Sequence, residues 1–568
     1  MFFEPGTYGS AAGADDPATA TGIVNAQVGY YTSIAGLGSS PKDVVINGAL
    51  HVEPQTAPRV GDIALTNFWR SLGDLTINPI QRPVGSDAAS ARPQGLEDPH
   101  TMRWAVSQAT PLRRVNIEGN LDLNGRYGAF GFGSYLADSR VGGTVISGDG
   151  LTGRAQAQWY TRDSRIGGWN GTGVNLVFSG VQGAPAGDFD PAGTTTLSRT
   201  PLSRQAPFLF LDHNRYTVFA PYARTATAGA NWSTAQNAGR RIPIDRFYIA
   251  RPTDTAETIN RALASGRNLL LTPGVYSLDA PIRVSRPNTV VMGLGYATLT
   301  PTSGTAALEI GDVDGVVVSG VTVDAGPVRS NVLVRVGTPG GHGRHGGHSG
   351  HAADPTTFHD LSVRVGGPRP GLATTSVEVN SDHVLLDNTW LWRGQVGNTN
   401  GAQGVGWTVN PADHGLVVNG DDVTALGLSV EHYQKEQVVW NGERGRTVFY
   451  QSELPEDMPS QAAWRDGATQ GYSAYVVADD VKKHEATGMA IYSLFPFPPT
   501  EAVHASTAIQ APVRTRVRFQ SIAIGVVLGQ GGIRHIINDA GAGVDATQPN
   551  NAQAGMTALT RMPSYPPR

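Results

Sequence analysis

The chain has 568 residues with 71 Gly, 37 Pro, no Cys, only 16% charged residues and a formal net charge of -4. So much Gly and Pro excludes a mainly helical protein, and the lack of Cys excludes thiol catalysis, disulfides and Cys-based zinc sites. There is no basic stripe for nucleic acid and no apolar run near the ~20 residues that span a bilayer, so neither partner is expected.

From the N-terminus, one block occurs twice. Phe2-Phe3-Glu4-Pro5-Gly6-Thr7-Tyr8, followed by Tyr31-Thr32-Ser33-Ile34-Ala35-Gly36-Leu37-Gly38, is answered by Leu270-Leu271-Thr272-Pro273-Gly274-Val275-Tyr276 and Asn288-Thr289-Val290-Val291-Met292-Gly293-Leu294-Gly295. The echo continues from Trp69–Ile77 to Val316–Val323. Short strand, Gly turn and short strand in duplicate predict two tandem β-rich domains. The copies are placed at 1–200 and 250–568, with 201–249 as the connection. Ahead of the second copy, Asp254–Leu263 predicts a short helix with Asp254 as N-cap, Glu257 three residues on, Ile259 and Leu263 on one face, and Gly266 as the stop. The first copy shows no such helix, so its capping end, together with any export signal, is expected upstream of Met1.

Within the second copy, Gly340–His351 is a Gly-rich segment with recurring histidines. Imidazoles so spaced suit a transition metal, but so many glycines favour a plain surface loop; no metal or other cofactor is assigned. Beyond it, Leu416–Asn419, Leu426–Val430, Val438–Asn441 and Thr447–Gln451 are short β-branched or aromatic runs bounded by Gly, Asn or Asp. About two such runs per twenty residues suit the coils of a parallel β-helix, stacked ~4.8 Å apart. A β-sandwich shares the strand spacing; length and duplication favour the β-helix.

Candidate chemistry concentrates between Trp390 and Glu485, where Trp392, Trp407, Asp421, Asp422, Glu431, Tyr433, Trp440 and Glu453 mix aromatic rings with carboxylates. Sugar faces stack on rings, and a carboxylic acid protonates a leaving glycosidic oxygen. Glu431 and Glu453 lie 22 residues apart, about one coil, and the alternation Leu428-Ser429-Val430-Glu431 turns Glu431 away from the core. Carboxylates stacked in adjacent coils resist joint ionisation, so one should keep its proton near neutrality; two solvated surface glutamates fit the same spacing. Asn419-Gly420-Asp421-Asp422 is compatible with paired catalytic aspartates and with a plain turn.

Several longer stretches resemble bacterial members of glycoside hydrolase family 55. They are Gly29–Thr32, Asn67–Leu72, Trp104–Ala109, Gly404–Asn410, Val418–Thr424, Val430–Lys435 and Val439–Glu443, which follow one another over nearly the whole chain. The resemblance implies an all-β fold of two tandem right-handed parallel β-helices (pectate-lyase-like) with a cleft between them. It also implies an inverting, exo-acting hydrolase of β-1,3-glucan with a polysaccharide or oligosaccharide substrate; the chain is read besides as secreted, monomeric and without a cofactor. By position, Glu453 matches the general acid, Gln108 a residue holding the attacking water, Glu431 a second carboxylate of that network, and Trp392 a sugar-stacking ring. Gln108 of the first copy is thereby expected to face Glu453 of the second. Three positions depart from the family: Phe132 stands where a Ser of the water network is expected, with Ser134 nearby; Glu456 stands where an aromatic is expected; and the loop Gly394–Gln403 is longer and lacks an Asp-His pair. Another polysaccharide as substrate, or sugar binding without catalysis, are the competing readings.

Overall fold

The computed structural model describes residues 1–12, 22–57, 61–80, 100–125, 129–149, 154–233, 238–339, 349–395, 406–495, 501–547 and 556–566. Its contacts divide the chain into two compact units at the Ile244–Asp245 junction.

In the first unit, Phe2–Phe3, Thr32–Gly36, Arg70–Pro79, Leu112–Ile117, Tyr135–Ala137, Gln158–Arg162, Asn175–Ser179 and Thr194–Leu197 stack as a column of parallel strands. Register places Ile34, Leu72, Leu112 and Leu136 directly above one another, all buried. A ladder of equivalent aliphatic side chains is how each coil completes the apolar face of the next.

Residues 201–249, expected as a connection, are instead built of strands. Thr200–Ser203 pairs with Arg224–Thr227, and Phe208–Asp212, Arg215–Pro221 and Gly239–Pro243 form an antiparallel sheet around Phe208, Phe210 and Phe219. The hairpin turn is His213-Asn214, with φ of 48° and 61°. Both central residues at positive φ is the hairpin-favouring geometry usually marked by Asn-Gly, and without the glycine the sequence hides it. Residues up to Ile244 therefore join the first unit, while Phe247–Ala250 pairs with Asn268–Leu271 and opens the second.

The second unit carries two parallel columns. The longer runs from Phe247–Ala250 through Thr357–Val365, Leu385–Arg393, Thr424–Glu431, Gly445–Glu453 and His484–Phe495 to Val517–Gly529, where antiparallel Ala558–Tyr565 closes it. The other includes Ala373–Val379, His414–Val418, Val438–Trp440 and Tyr475–Val477. Helix Ala256–Ala264 buries Ala256, Ile259 and Leu263 against the first coil. Its N-cap is Thr255, whose hydroxyl accepts the Thr258 N–H; Asp254, read as the cap, accepts from the Arg251 N–H and the Tyr248 hydroxyl. A carboxylate one residue early serves the preceding turn, while the hydroxyl reaches the orphan helix donor.

The duplicated block has a structural counterpart. Phe2 pairs with Ala35 and Phe3 with Gly36, just as Leu270 pairs with Met292 and Leu271 with Gly293. In the next coil the correspondence moves by one residue: Ile34 pairs with Leu72, and Val291 with Val318.

Candidate active site

The site is built where parallel strands of the second unit end. Trp392 pairs with Glu431, Glu431 with Glu453, and Glu453 with Tyr492, so these residues occupy one position in four consecutive coils. Below them runs the row Trp390, Ser429, Gln451 and Ala490. The alternation in Leu428-Ser429-Val430-Glu431 does turn Glu431 away from the core, and the layer that receives it is itself buried, leaving Glu431 only 3% exposed. Trp390 and Trp392 lie 6.2 Å apart between ring centroids, and Trp392 is half-buried.

One imidazole ties the carboxylates together. His432, just past Glu431 with φ of 68°, directs Nε2 at Glu453 Oε2 (3.1 Å) and at Glu456 Oε1 (3.3 Å). Glu453 Oε1 accepts from the Gln451 amide at 3.1 Å, and Glu456 Oε2 from the Gln395 amide at 3.1 Å. Beneath the turn, fully buried Arg393 donates to the carbonyls of His432, Gly406 and Asn410 and to the Asp457 carboxylate, fixing where His432 sits.

Burial and the neighbouring Glu453 charge push the Glu431 carboxyl up to about 8, against the opposing effect of His432 and of hydrogen bonds from Trp390 and Gln451. The coil-stacked pair thus holds a proton at neutral pH, as the one-coil spacing requires. For His432, burial disfavours the cation, but the Glu456 and Glu453 carboxylates outweigh it and raise the imidazole to about 10. Glu456 is raised by burial, with His432 pulling the other way. His432, Glu453 and Glu456 bring ligand-type atoms within 4.8 Å of one another. An unprotonated Nε2 lone pair facing two carboxylates would be repelled by both, so the trio reads as a shared proton with its acceptors, not as a set of metal ligands. The arrangement as a whole is a proton donor: a buried protonated carboxyl stacked against a more open one, Glu453, whose side chain is 13% exposed.

The other sequence candidates scatter. Trp407 lies half-buried on the short helix Gly406–Val409, its ring 5.6 Å from the Arg393 guanidinium. Tyr433 and Trp440 are not at a surface for sugar: both are fully buried in the coil core, Tyr433 bonded to the Ser376 hydroxyl at 2.6 Å and Trp440 stacked on Tyr475. Asp421 and Asp422 lie at the opposite end of strand Thr424–Glu431 from Glu431. There they grip Arg444, and Asp421 also accepts the Glu443 N–H at 2.8 Å. Alongside, Asn380, Asn419 and Asn441 form a side-chain ladder through successive coils. A Cβ on Gly420 would fall 1.9 Å from the Ser381 carbonyl oxygen, so the Asn-Gly-Asp-Asp segment is a turn shaped by close coil stacking.

Gln108 is buried in the first unit, between Ser107, whose hydroxyl accepts the Phe132 N–H, and a turn to Thr110, whose N–H donates to the Ser134 hydroxyl. Gln108, Phe132 and Ser134 therefore belong to one neighbourhood, and Ser134 already accepts a backbone hydrogen bond. His342, His345 and His348 and most of the loop 394–403 lie outside the described residues; His351 is held between Asp312 and Asp314. Sequence reasoning gave no role to Gln395, Arg393 or Asp457. Gln451 was recoverable, since it lies two residues before Glu453 on the same strand face.

The LAM55 pectate lyase-like domain matches residues 247–453. An exo-beta-1,3-glucanase of Streptomyces sp. (strain SirexAA-E / ActE) is 45% identical over 542 residues, covering 95% of this chain and 81% of that protein. The solved structure of sacteLam55A from Streptomyces sp. SirexAA-E aligns with a TM-score of 0.86 at 43% identity, over 100% of this chain and 92% of that one. A variant of sacteLam55A in complex with glucose aligns with the same values.

Proposed function

The chain belongs to glycoside hydrolase family 55, and on that premise we propose that it hydrolyses β-1,3-glucan from a chain end, releasing glucose, with Glu453 as general acid. The observation that carries this is the in-register pair of Glu431 and Glu453, in which the buried Glu431 carboxyl keeps its proton near neutral pH. In the proposed step the Glu453 proton passes to the glycosidic oxygen as the C1–O bond breaks. A water forms the new C1–O bond from the opposite face and passes its own proton to solvent water, which in turn replaces the proton spent by the acid. Inversion needs acid and base ~6.5 to 9.5 Å apart, and coils stack only ~4.8 Å apart, so Glu431 is read as the store that reprotonates Glu453 and not as the base. Gln108 is proposed to hold the water and Trp392 to carry a sugar face, both from family resemblance. A monomer acting outside the cell is proposed as well, since a polymer substrate is met there.

Incubation with laminarin, β-1,6-glucan and polygalacturonate tests the substrate. Glucose from laminarin alone is expected; products from another polymer and none from laminarin would overturn the reading. Proton NMR of early product should show the α-anomer first, and the β-anomer first would exclude inversion.

A further inference from the structure

Glu456 stands where the family resemblance leads one to expect an aromatic ring, yet it is nearly as buried as Glu431 and is fully engaged. One oxygen is anchored by Gln395 and the other lies 3.3 Å from His432 Nε2, the same nitrogen that meets Glu453 at 3.1 Å. A ring nitrogen carries one hydrogen, so two carboxylates compete for it. Among the described residues the buried His432 Nδ1 meets no hydrogen-bond partner, so the polar contacts of the ring are those of Nε2.

We propose that Glu456 is a positioning residue for Glu453: by dividing the Nε2–H of His432 with it, Glu456 keeps the acid from becoming a committed ion-pair partner of the imidazolium. Among the described residues, the charged and titratable groups around this trio include Glu431 from the preceding coil, Tyr492 from the following one with Arg561 acting on it, and the Arg393–Asp457 pair beneath. Arg393 is occupied by Asp457 and three carbonyls, and among the described residues His432 is the cationic side chain seen in contact with both Glu453 and Glu456. Without Glu456, His432 would bind Glu453 alone and withdraw it from proton exchange with Glu431, and a carboxylate that takes up no proton cannot donate one.

This rests on Glu453 being the acid, and the test separates the two claims. The alkaline limb of kcat/KM on laminarin reports the acid in the free enzyme. Glu456→Gln keeps the shape and removes the charge; its limb should move to lower pH by about one unit, with KM little changed at the optimum. His432→Gln removes the cation and leaves the carboxylates facing one another, so its limb should move to higher pH. Glu456→Asp, which retains the charge, should stay closer to wild type than Glu456→Gln does. A purely structural Glu456 would lower the melting temperature and kcat without moving the limb. An unmoved limb in folded Glu456→Gln, or a shift upward, overturns the proposal. If that variant does not fold, an unmoved or lowered limb in His432→Gln does so instead. Wild-type inactivity on laminarin, or activity surviving in Glu453→Gln, would instead strike the reading on which the inference rests.

Discussion

His432 and His484 are equally hidden from solvent and are driven in opposite directions. His484 opens strand His484–Phe495 inside the coil core, edge-on to Trp440 at 4.9 Å, with Nε2 at 2.9 Å from the Tyr475 hydroxyl. Burial alone lowers it to about 3, so it is a neutral ring filling apolar space. His432 meets Glu453 and Glu456 and is raised to about 10. What separates the two regions is therefore not depth but partners: hydroxyl and rings in one, carboxylates in the other.

The largest expected effect lies in the core region. Trp440→Ala should cost about 3–5 kcal/mol of stability, read by denaturant unfolding, because the fully buried ring packs on Tyr475 and His484. A loss below about 1 kcal/mol would mean that Trp440 is not the core residue described here.

The two histidines next predict a stability dome in pH. For His484, with its folded value below the ordinary 6.5, stability is present above 6.5 and is lost as pH falls toward about 3. For His432, raised above 6.5, stability is present below 6.5 and is lost as pH rises through about 10. Glu431 adds to the alkaline side: its proton is retained in the fold up to about 8 but released from the unfolded chain above 4.5, so stability falls across that interval. Melting temperatures should therefore decline from pH 6.5 to 10, and Glu431→Gln should flatten the decline up to about 8. A wild-type profile flat from 6.5 to 10 would remove the carboxylate–imidazole half of the comparison.

The smallest effect is expected at the far end of the same strands. Asp422→Asn loosens a surface pair with Arg444 and should cost at most about 1 kcal/mol, with laminarin hydrolysis within about twofold of wild type. A large loss of activity there would return the Asp pair to the candidate site.

These contrasts show what was legible in the chain. Coil spacing gave the relation of Glu431 to Glu453, because that coil is 22 residues long; the neighbouring coils, Trp392 to Glu431 and Glu453 to Tyr492, take 39 residues each and hide the same register. The repeat likewise anticipated matching strand pairs in both units. Inside and outside were harder to tell apart. Trp440 alternates with Val438 into the core just as a sugar-facing ring would alternate out of it, and composition cannot say which side of a strand is the lumen of the coil. Tyr433 misleads in the same way: its ring was expected at the sugar site but lies in the core, its hydroxyl bonded to Ser376, 57 residues away. Glu456 appeared only as a departure from the family, and Gln395 did not appear at all. Their role depends on loops brought back to His432, which no local pattern records.

The central claim is that the Glu453 carboxyl, held between Gln451 and His432 and stacked on Glu431, supplies the proton that breaks the glycosidic bond. Glu453→Gln preserves the side-chain volume and removes only that proton, so the direct measurement is glucose release from laminarin by the folded variant. A fall of about 10²- to 10⁴-fold with an unchanged circular dichroism spectrum is predicted. Release at the wild-type rate would contradict the account.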